Sequence, residues 1–443
     1  MYECPNCGGN LKYSISKEML LCNHCDTTMS PYDITKDRDA EESTEYDVTV
    51  FTCPQCAGEI LSTDETAATF CSFCGASTIL DSRISKERKP AKIIPFTKTK
   101  TMCKNAYMKL VSKSPFIPAD AKDEKCIDSF RGIYMPYWVY DISQKGPVTL
   151  YGSTSRRSGD YRIEKEYEIQ GEINARYQGF SHDASTSFED SISEYLEPFD
   201  TTKARRFTPS FLSGFYADTS DVSQENYRGQ AIDNAAENTM REITRSKPLR
   251  SYSLNPVPDK VQRTHTRLDG ATLHMFPVWF MSYRKGDRVA YATVNGQTGK
   301  VVADLPIDEK KFITSSLVLA IPIFIILNLL FTFRPIITLG IVLALSIATL
   351  LFYSFEVAAI KKKESGPIIG KLVKGFPGAI IAIILALVIM IVNPVHDIYF
   401  YGASAICLAA MFTTLLCTIH YYNILATRPL PQFKTHTGGD DNA

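Results

Sequence analysis

Eight of the twelve cysteines stand in two copies of one frame. Cys4, Cys7, Cys22 and Cys25 recur as Cys53, Cys56, Cys71 and Cys74, displaced by 49 residues, each copy reading C-x-x-C, fourteen residues, C-x-x-C. A C-x-x-C turn aims two thiolates at one point, and a second such turn across a short sheet completes the tetrahedron of a Cys4 zinc site. Protein would fill all four positions and leave no place for an activated water. The spacing therefore predicts two structural Zn2+ ions per chain, held by these eight cysteines.

The residues around the frames repeat as well: Tyr2 matches Phe51, Pro5 matches Pro54, Gly9 matches Gly58 and Leu11 matches Ile60. The turn exits are Gly8, Asp26, Ala57 and Gly75. Glycine takes the left-handed backbone of such an exit freely and Asp tolerates it, but Ala pays for it, so the Ala57 turn is expected to be the most strained. His24 lies between Cys22 and Cys25, yet its counterpart is Phe73, which cannot ligate, and the frame is complete without it. Disulfides would ask for an oxidising compartment, and the sequence does not open on a signal-peptide pattern. Reduced thiolates are expected.

The elements that position these frames divide the chain sharply. Ribbons are expected at 1–32 and 49–81, joined by an acidic linker at 33–48, followed by an α+β domain at 82–306. Beyond it the chain is almost wholly apolar in four stretches, 313–333, 336–355, 376–392 and 398–425, before a tail at 426–443. A spanning helix needs about 20 apolar residues. The fold class expected is thus multidomain: two small β zinc ribbons, an α+β soluble domain and an all-α four-helix transmembrane region. Lys361, Lys362, Lys363, Lys371 and Lys374 crowd one connection, which places that loop, the ribbons, the α+β domain and both termini on the cytosolic side of a multi-pass cell-membrane protein.

Within the middle region the two tryptophans sit in matching settings, Met135-Pro136-Tyr137-Trp138 and Phe276-Pro277-Val278-Trp279, which suggests two related halves. Asn295-Gly296 between apolar runs predicts a hairpin, and Asp221 with Gln224 predicts the start of a helix running to about Thr244. Asn295-Gly296-Gln297-Thr298-Gly299-Lys300 lacks the glycine spacing and the Ser or Thr of a phosphate-binding loop. No zincin, nucleophile-elbow or dinucleotide motif occurs, and no spacing supports a Cys–His pair of Cys103 or Cys126 with His182. No catalytic residue and no small-molecule substrate are expected.

The tandem ribbons, together with Ile94-Pro95-Phe96, Met135-Pro136-Tyr137-Trp138, Leu196-Glu197-Pro198-Phe199, Phe215-Tyr216-Ala217-Asp218 and the 295–302 segment, resemble a family of bacterial zinc-ribbon membrane proteins. Its members are often labelled as relatives of the primosomal replication-restart helicase or as TFIIB-type zinc-ribbon proteins. The motor of a helicase has no counterpart here, since no phosphate loop exists. The resemblance implies partners among phage-shock-type and flotillin-type (SPFH) envelope-stress proteins. The function expected is a non-enzymatic, membrane-anchored adaptor that recruits or senses protein partners. The alternative is a membrane-tethered, nucleic-acid-binding zinc-ribbon protein linked to replication or transcription; the acidic linker and Glu3, Glu59 and Asp64 on the ribbons speak against it.

Overall fold

The computed structural model describes residues 2–34, 45–62, 71–77, 80–255, 263–330, 334–363 and 376–433. Most of the acidic linker, Lys371, Lys374 and the tail from residue 434 lie outside the described residues.

The chain opens with β1 (Leu11–Ser14), β2 (Met19–Cys22) and β3 (Thr28–Met29), which form a sheet of their own in that order. Next come β4 (Glu45–Thr52), β5 (Glu59–Ser62), β6 (Asp81–Arg88), β7 (Lys92–Ile93), α1 (Lys100–Val111) and α2 (Glu124–Asp128). A hairpin of unusual length, β8 (Arg131–Ser158) and β9 (Tyr161–Asp183), precedes α3 (Asp190–Leu196), β10 (Arg205–Arg206), β11 (Tyr216–Ala217) and α4 (Arg228–Arg245). The sheet is finished by β12 (Ser253–Leu254), β13 (Thr266–Lys285), β14 (Arg288–Asn295) and β15 (Val301–Ala303). Four apolar helices follow, α5 (Glu309–Leu330), α6 (Pro335–Lys363), α7 (Phe376–Val392) and α8 (Ile398–Leu425), and a short β16 (Arg428–Pro429) returns to the sheet.

The second ribbon does not stand apart. Strand β11 pairs antiparallel with β5, Tyr216 opposite Ser62, and parallel with β8, Tyr216 opposite Ile133. Among the described residues, this bridge merges the ribbon into one mixed sheet of thirteen strands. The two Pro-x-Trp segments are neighbours in it: β13 runs antiparallel to β8 with Met275 opposite Pro136 and Pro277 opposite Tyr134. Each proline faces the residue two places before its counterpart, so the echo is a local two-fold between adjacent strands of a single sheet. Both indole N–H groups donate to carbonyls 2.8 Å away, Trp138 to Val222 and Trp279 to Lys98. Neither ring is left open as a ligand cage.

Side chains alternate across a strand, and here both faces of the central sheet are covered. Tyr134, Met275 and Trp279 join α1 and the first ribbon in one core, while Ile133, Met135, Tyr137, Phe276 and Phe280 join α3 and the second cysteine frame in another. The hairpin at Asn295-Gly296 forms as expected, Ala292 opposite Ala303. The helix expected from Asp221 begins later, at Arg228. Asp221 instead accepts the Thr186 amide at 2.8 Å, because a carboxylate that caps a loop is not free to cap a helix.

The four-helix transmembrane region is not what the structure supports. Among the described residues, two helices are long and apolar enough to cross a membrane, Pro335–Ala358 within α6 and Ile398–Leu425. Helix α7 has 17 residues, about 25 Å at 1.5 Å per residue, short of the roughly 30 Å hydrocarbon layer. Helix α5 opens on Glu309, Lys310 and Lys311 and carries Pro322 inside. Runs of apolar letters had hidden these differences of length and polarity. Helices α6, α7 and α8 meet through small residues, Ala382, Ala386, Ala403 and Cys407 beside Leu339 and Leu343.

Candidate metal centres

All four C-x-x-C turns have the same backbone. The first cysteine's N–H donates to the carbonyl five residues on (Cys4 to Gly9 at 2.7 Å, Cys22 to Thr27 at 2.9 Å, Cys53 to Gly58 at 3.0 Å, Cys71 to Ala76 at 2.9 Å), and its carbonyl accepts the N–H of the exit residue. Those exits, Gly8, Asp26, Ala57 and Gly75, have φ of 69°, 56°, 58° and 70°. Ala57 thus occupies a left-handed conformation that costs it roughly 1–2 kcal/mol. The turn holds because the surrounding bonds and sulfurs over-determine it.

Each frame brings its four sulfurs within 4.8 Å of one another. In the first, Cys4–Cys25 is 3.6 Å, Cys7–Cys22 3.5 Å and Cys7–Cys25 3.3 Å; in the second, Cys53–Cys74 is 3.8 Å and Cys56–Cys71 3.7 Å. A tetrahedron with metal–sulfur bonds of about 2.3 Å has edges of about 3.8 Å. The donor set and its spacing therefore fit a metal ion in both places. None of the eight is in a disulfide. His24 is exposed and is not among the converging groups.

The thiols are not alike. The Thr27 hydroxyl, 3.1 Å from Cys25 Sγ, and the Thr27 amide hold the Cys25 thiol down to about 6. In the second centre the hydrogen bond with Cys56 pushes the Cys71 thiol up and holds Cys74 down. Crowded thiols cannot all ionise against one another, and a cation removes that penalty as it displaces their protons. Burial separates the centres further: Cys7 and Cys25 are exposed, whereas all four cysteines of the second centre are buried. Phe73, between Cys71 and Cys74, packs edge-on against Phe280 at 6.0 Å, deep in the sheet core.

Other residues singled out in the sequence are not assembled for chemistry. Cys103 lies in the core on the first-ribbon side, its thiol pushed up to about 12 by burial, and Cys126 is pushed up to about 11 by the same cause. Their thiols stay protonated, a poor state for a nucleophile. His182 stacks on Tyr227 at 5.1 Å, away from both. At the 295–300 tip the amides of Gln297 and Thr298 donate to Asn295 Oδ1 at 2.9 and 2.8 Å, so they are not presented to a phosphate.

Two buried carboxyls were not among the candidate site residues, although Asp218 closes the Phe215-Tyr216-Ala217-Asp218 segment. Burial pushes Asp183 and Asp218 up to about 7. Asp218 accepts the Ser185 hydroxyl at 2.7 Å and the Thr219 amide at 2.9 Å, and Ser187 also donates to it. A carboxyl raised in this way binds a proton that the unfolded chain has already released. Its contribution is intact below about pH 4, declines as pH rises, and is fully lost above about pH 7, on the order of 4 kcal/mol for a rise of three units. Asp218→Asn should therefore gain stability over the native chain as pH rises from 6 to 8. Thermal melts across that range check it; a difference that stays constant with pH would mean that Asp218 does not titrate there.

The chain is 28% identical over 316 residues to the uncharacterized protein YdjG of Bacillus subtilis (strain 168), an overlap that takes in 70% of this chain and 91% of that protein. No family model matches the chain, and no solved structure matches it.

Proposed function

We propose that this protein is a non-enzymatic, membrane-anchored zinc-ribbon adaptor that recruits or senses protein partners at the cytosolic face of the membrane. The observation that carries this reading is the contrast between the two metal centres: one is built into the sheet core, while the other offers its thiolate edge to solvent at the chain's start. Four thiolates in a tetrahedron suit zinc among the common divalent ions. The outer part of the β8–β9 hairpin adds a second exposed feature, with Tyr161 79% and Ile163 48% exposed.

Helices α6 and α8 serve as the anchor. Leu339 of α6 shares a buried cluster with Phe400 and Ala403 of α8, and Tyr353 shares another with Tyr421. The end of α8 is fixed to the sheet domain, Tyr422 donating to the Leu305 carbonyl at 3.2 Å and Asn423 exchanging bonds of 2.7 and 2.8 Å with Ile307. Lys361, Lys362 and Lys363 at the end of α6 are the positive charges that favour a cytosolic side in this reading. Envelope-stress scaffolds of the phage-shock and flotillin type are the partners to look for first.

Proximity labelling from the full-length chain in native membranes should enrich a set of membrane-scaffold proteins, and Cys7→Ser with Cys25→Ser should deplete that set at least several-fold. An unchanged set would remove the first ribbon from partner binding. Enrichment of nucleic-acid proteins, with DNA binding by the full-length protein that weakens steeply with salt, would favour a tether for nucleic acid instead.

A further inference from the structure

The second metal centre has a neighbour that its sequence frame does not contain. After α8 the chain turns back over the sheet. Arg288 donates to the Ile424 carbonyl at 2.7 Å and to the Thr427 hydroxyl at 2.6 Å, and β16 pairs with β14, Val289 opposite Arg428. Arg428 is held by Glu189 and Asp304 and lies 5.4 Å over the Tyr291 ring. The Leu430 amide donates to the Asp287 carbonyl at 3.2 Å. The segment then ends on the metal knuckle itself: the Phe433 amide donates to the Cys56 carbonyl at 2.8 Å, and the Phe433 ring packs edge-on against Phe73 at 5.5 Å.

Gly58 shows how closely this cover fits. A Cβ there would lie 2.7 Å from Phe73, 3.1 Å from Phe433 and 3.3 Å from Cys56 Sγ. One wall of the centre is thus supplied from the far end of the chain. On its other side the segment borders a cavity of about 840 Å³, lined in part by Arg428, Leu430, Pro431 and Phe433.

We propose that residues 427–433 complete the second metal centre, with Phe433 as a positioning residue that retains the ion by holding the Cys56 turn closed. Loss of the metal would open the turn and release the segment. Because the segment continues directly from α8, metal retention and the attachment of α8 to the sheet domain share one clasp. Coupling of this kind is reciprocal at equilibrium: the factor by which bound metal favours the closed segment is the factor by which the closed segment favours metal binding. The inference rests on both centres holding metal.

The test uses the full-length protein in detergent micelles, with metal release followed by a chromophoric zinc chelator and backbone opening by hydrogen exchange. Two zinc equivalents should leave in a fast and a slow phase, for the exposed and the buried centre. Phe433→Ala should speed the slow phase about tenfold or more and leave the fast phase unchanged, whereas Phe433→Leu, which keeps an apolar cover, should restore most of the retention. Amides of 428–433 should stay protected while the first equivalent leaves and should exchange as the second goes, before β8 and β13 lose protection. A slow phase unaffected by Phe433→Ala would overturn the proposal. So would a segment that opens with the first equivalent, opens only together with β8 and β13, or stays closed after both are lost. Protein that carries no zinc from the outset would instead sink the metal reading itself.

Discussion

Cys56→Ser with Cys71→Ser should abolish the cooperative fold of the sheet domain, whereas Cys7→Ser with Cys25→Ser should leave that domain folded and loosen only the first ribbon. A structural Cys4 zinc site contributes roughly 10–16 kcal/mol of apparent folding free energy, against a net stability of about 5–15 kcal/mol for a domain. Where the free energy of one site falls decides how much of the chain depends on it. The second centre packs with Phe51, Phe73, Phe276, Phe280 and Tyr291 on one face of the central sheet, and its strand β5 is bridged to β8 by β11. Removing two ligands there leaves buried thiols and hydroxyls in an apolar core, with no ion to organise them.

The first centre has a smaller hold on the rest. Tyr13 packs on Phe211 at 5.3 Å and its amide donates to the Ser213 carbonyl at 3.0 Å, while Cys7 and Cys25 face water. Thermal unfolding followed by aromatic circular dichroism, with zinc counted per chain, distinguishes the variants. Loss of one zinc with an unaltered melting transition is expected for the first pair, and no transition at all for the second. Equal effects of the two pairs would show that the centres do not differ in what they support.

The two cysteine clusters were legible in the sequence because their spacing is local: two cysteines three apart in a turn, repeated across a hairpin, can be read without knowing what lies beyond. It also marked Ala57 as the strained exit, since φ is set within the turn itself. What it could not show is that β11, two residues long at Tyr216–Ala217, joins the second ribbon to the central sheet. A pair of residues has no periodicity to detect. The covering of the knuckle by Phe433 is equally silent, because nothing in a phenylalanine near the end of a chain says which distant turn it meets. Gly58 held a trace of it. Its counterpart Gly9 is constrained by Cys7 and Cys22 sulfurs and the His24 Cβ, whereas Gly58 is constrained by two aromatic rings as well as a sulfur. The same letter at the same place in the frame answers to different neighbours.

The apolar helices yield the other large effect. In a soluble bundle most branched aliphatics face inward; here alanines share the seam with Leu339, Val342 and Leu343, and many other branched aliphatics face outward. Ala382 and Ala386 are buried, Leu345, Leu351 and Ile384 are about half exposed, and only 28% of each of the two apolar windows is buried. Under the proposed anchoring, lipid covers this exterior, and small residues at the contacts let the helices approach closely. Leu345→Arg, near the middle of α6, should therefore shift the full-length protein out of the membrane fraction, since arginine at the centre of a span costs about 2.5–3.5 kcal/mol where leucine is favourable. Ile84→Arg, on an 81% exposed position of β6, should have no such effect. Carbonate-washed membranes assayed for each variant decide it. Were α6 the outer helix of a water-soluble bundle, Leu345→Arg would change stability by less than about 0.5 kcal/mol and improve solubility, and the two substitutions would behave alike. Ala386→Leu makes the opposite disturbance, overfilling the seam where α7 meets α6 and α8. It should loosen the three helices by about 1–3 kcal/mol and, under the proposed anchoring, leave the protein in the membrane fraction, because the substitution falls on the seam and not on the exterior.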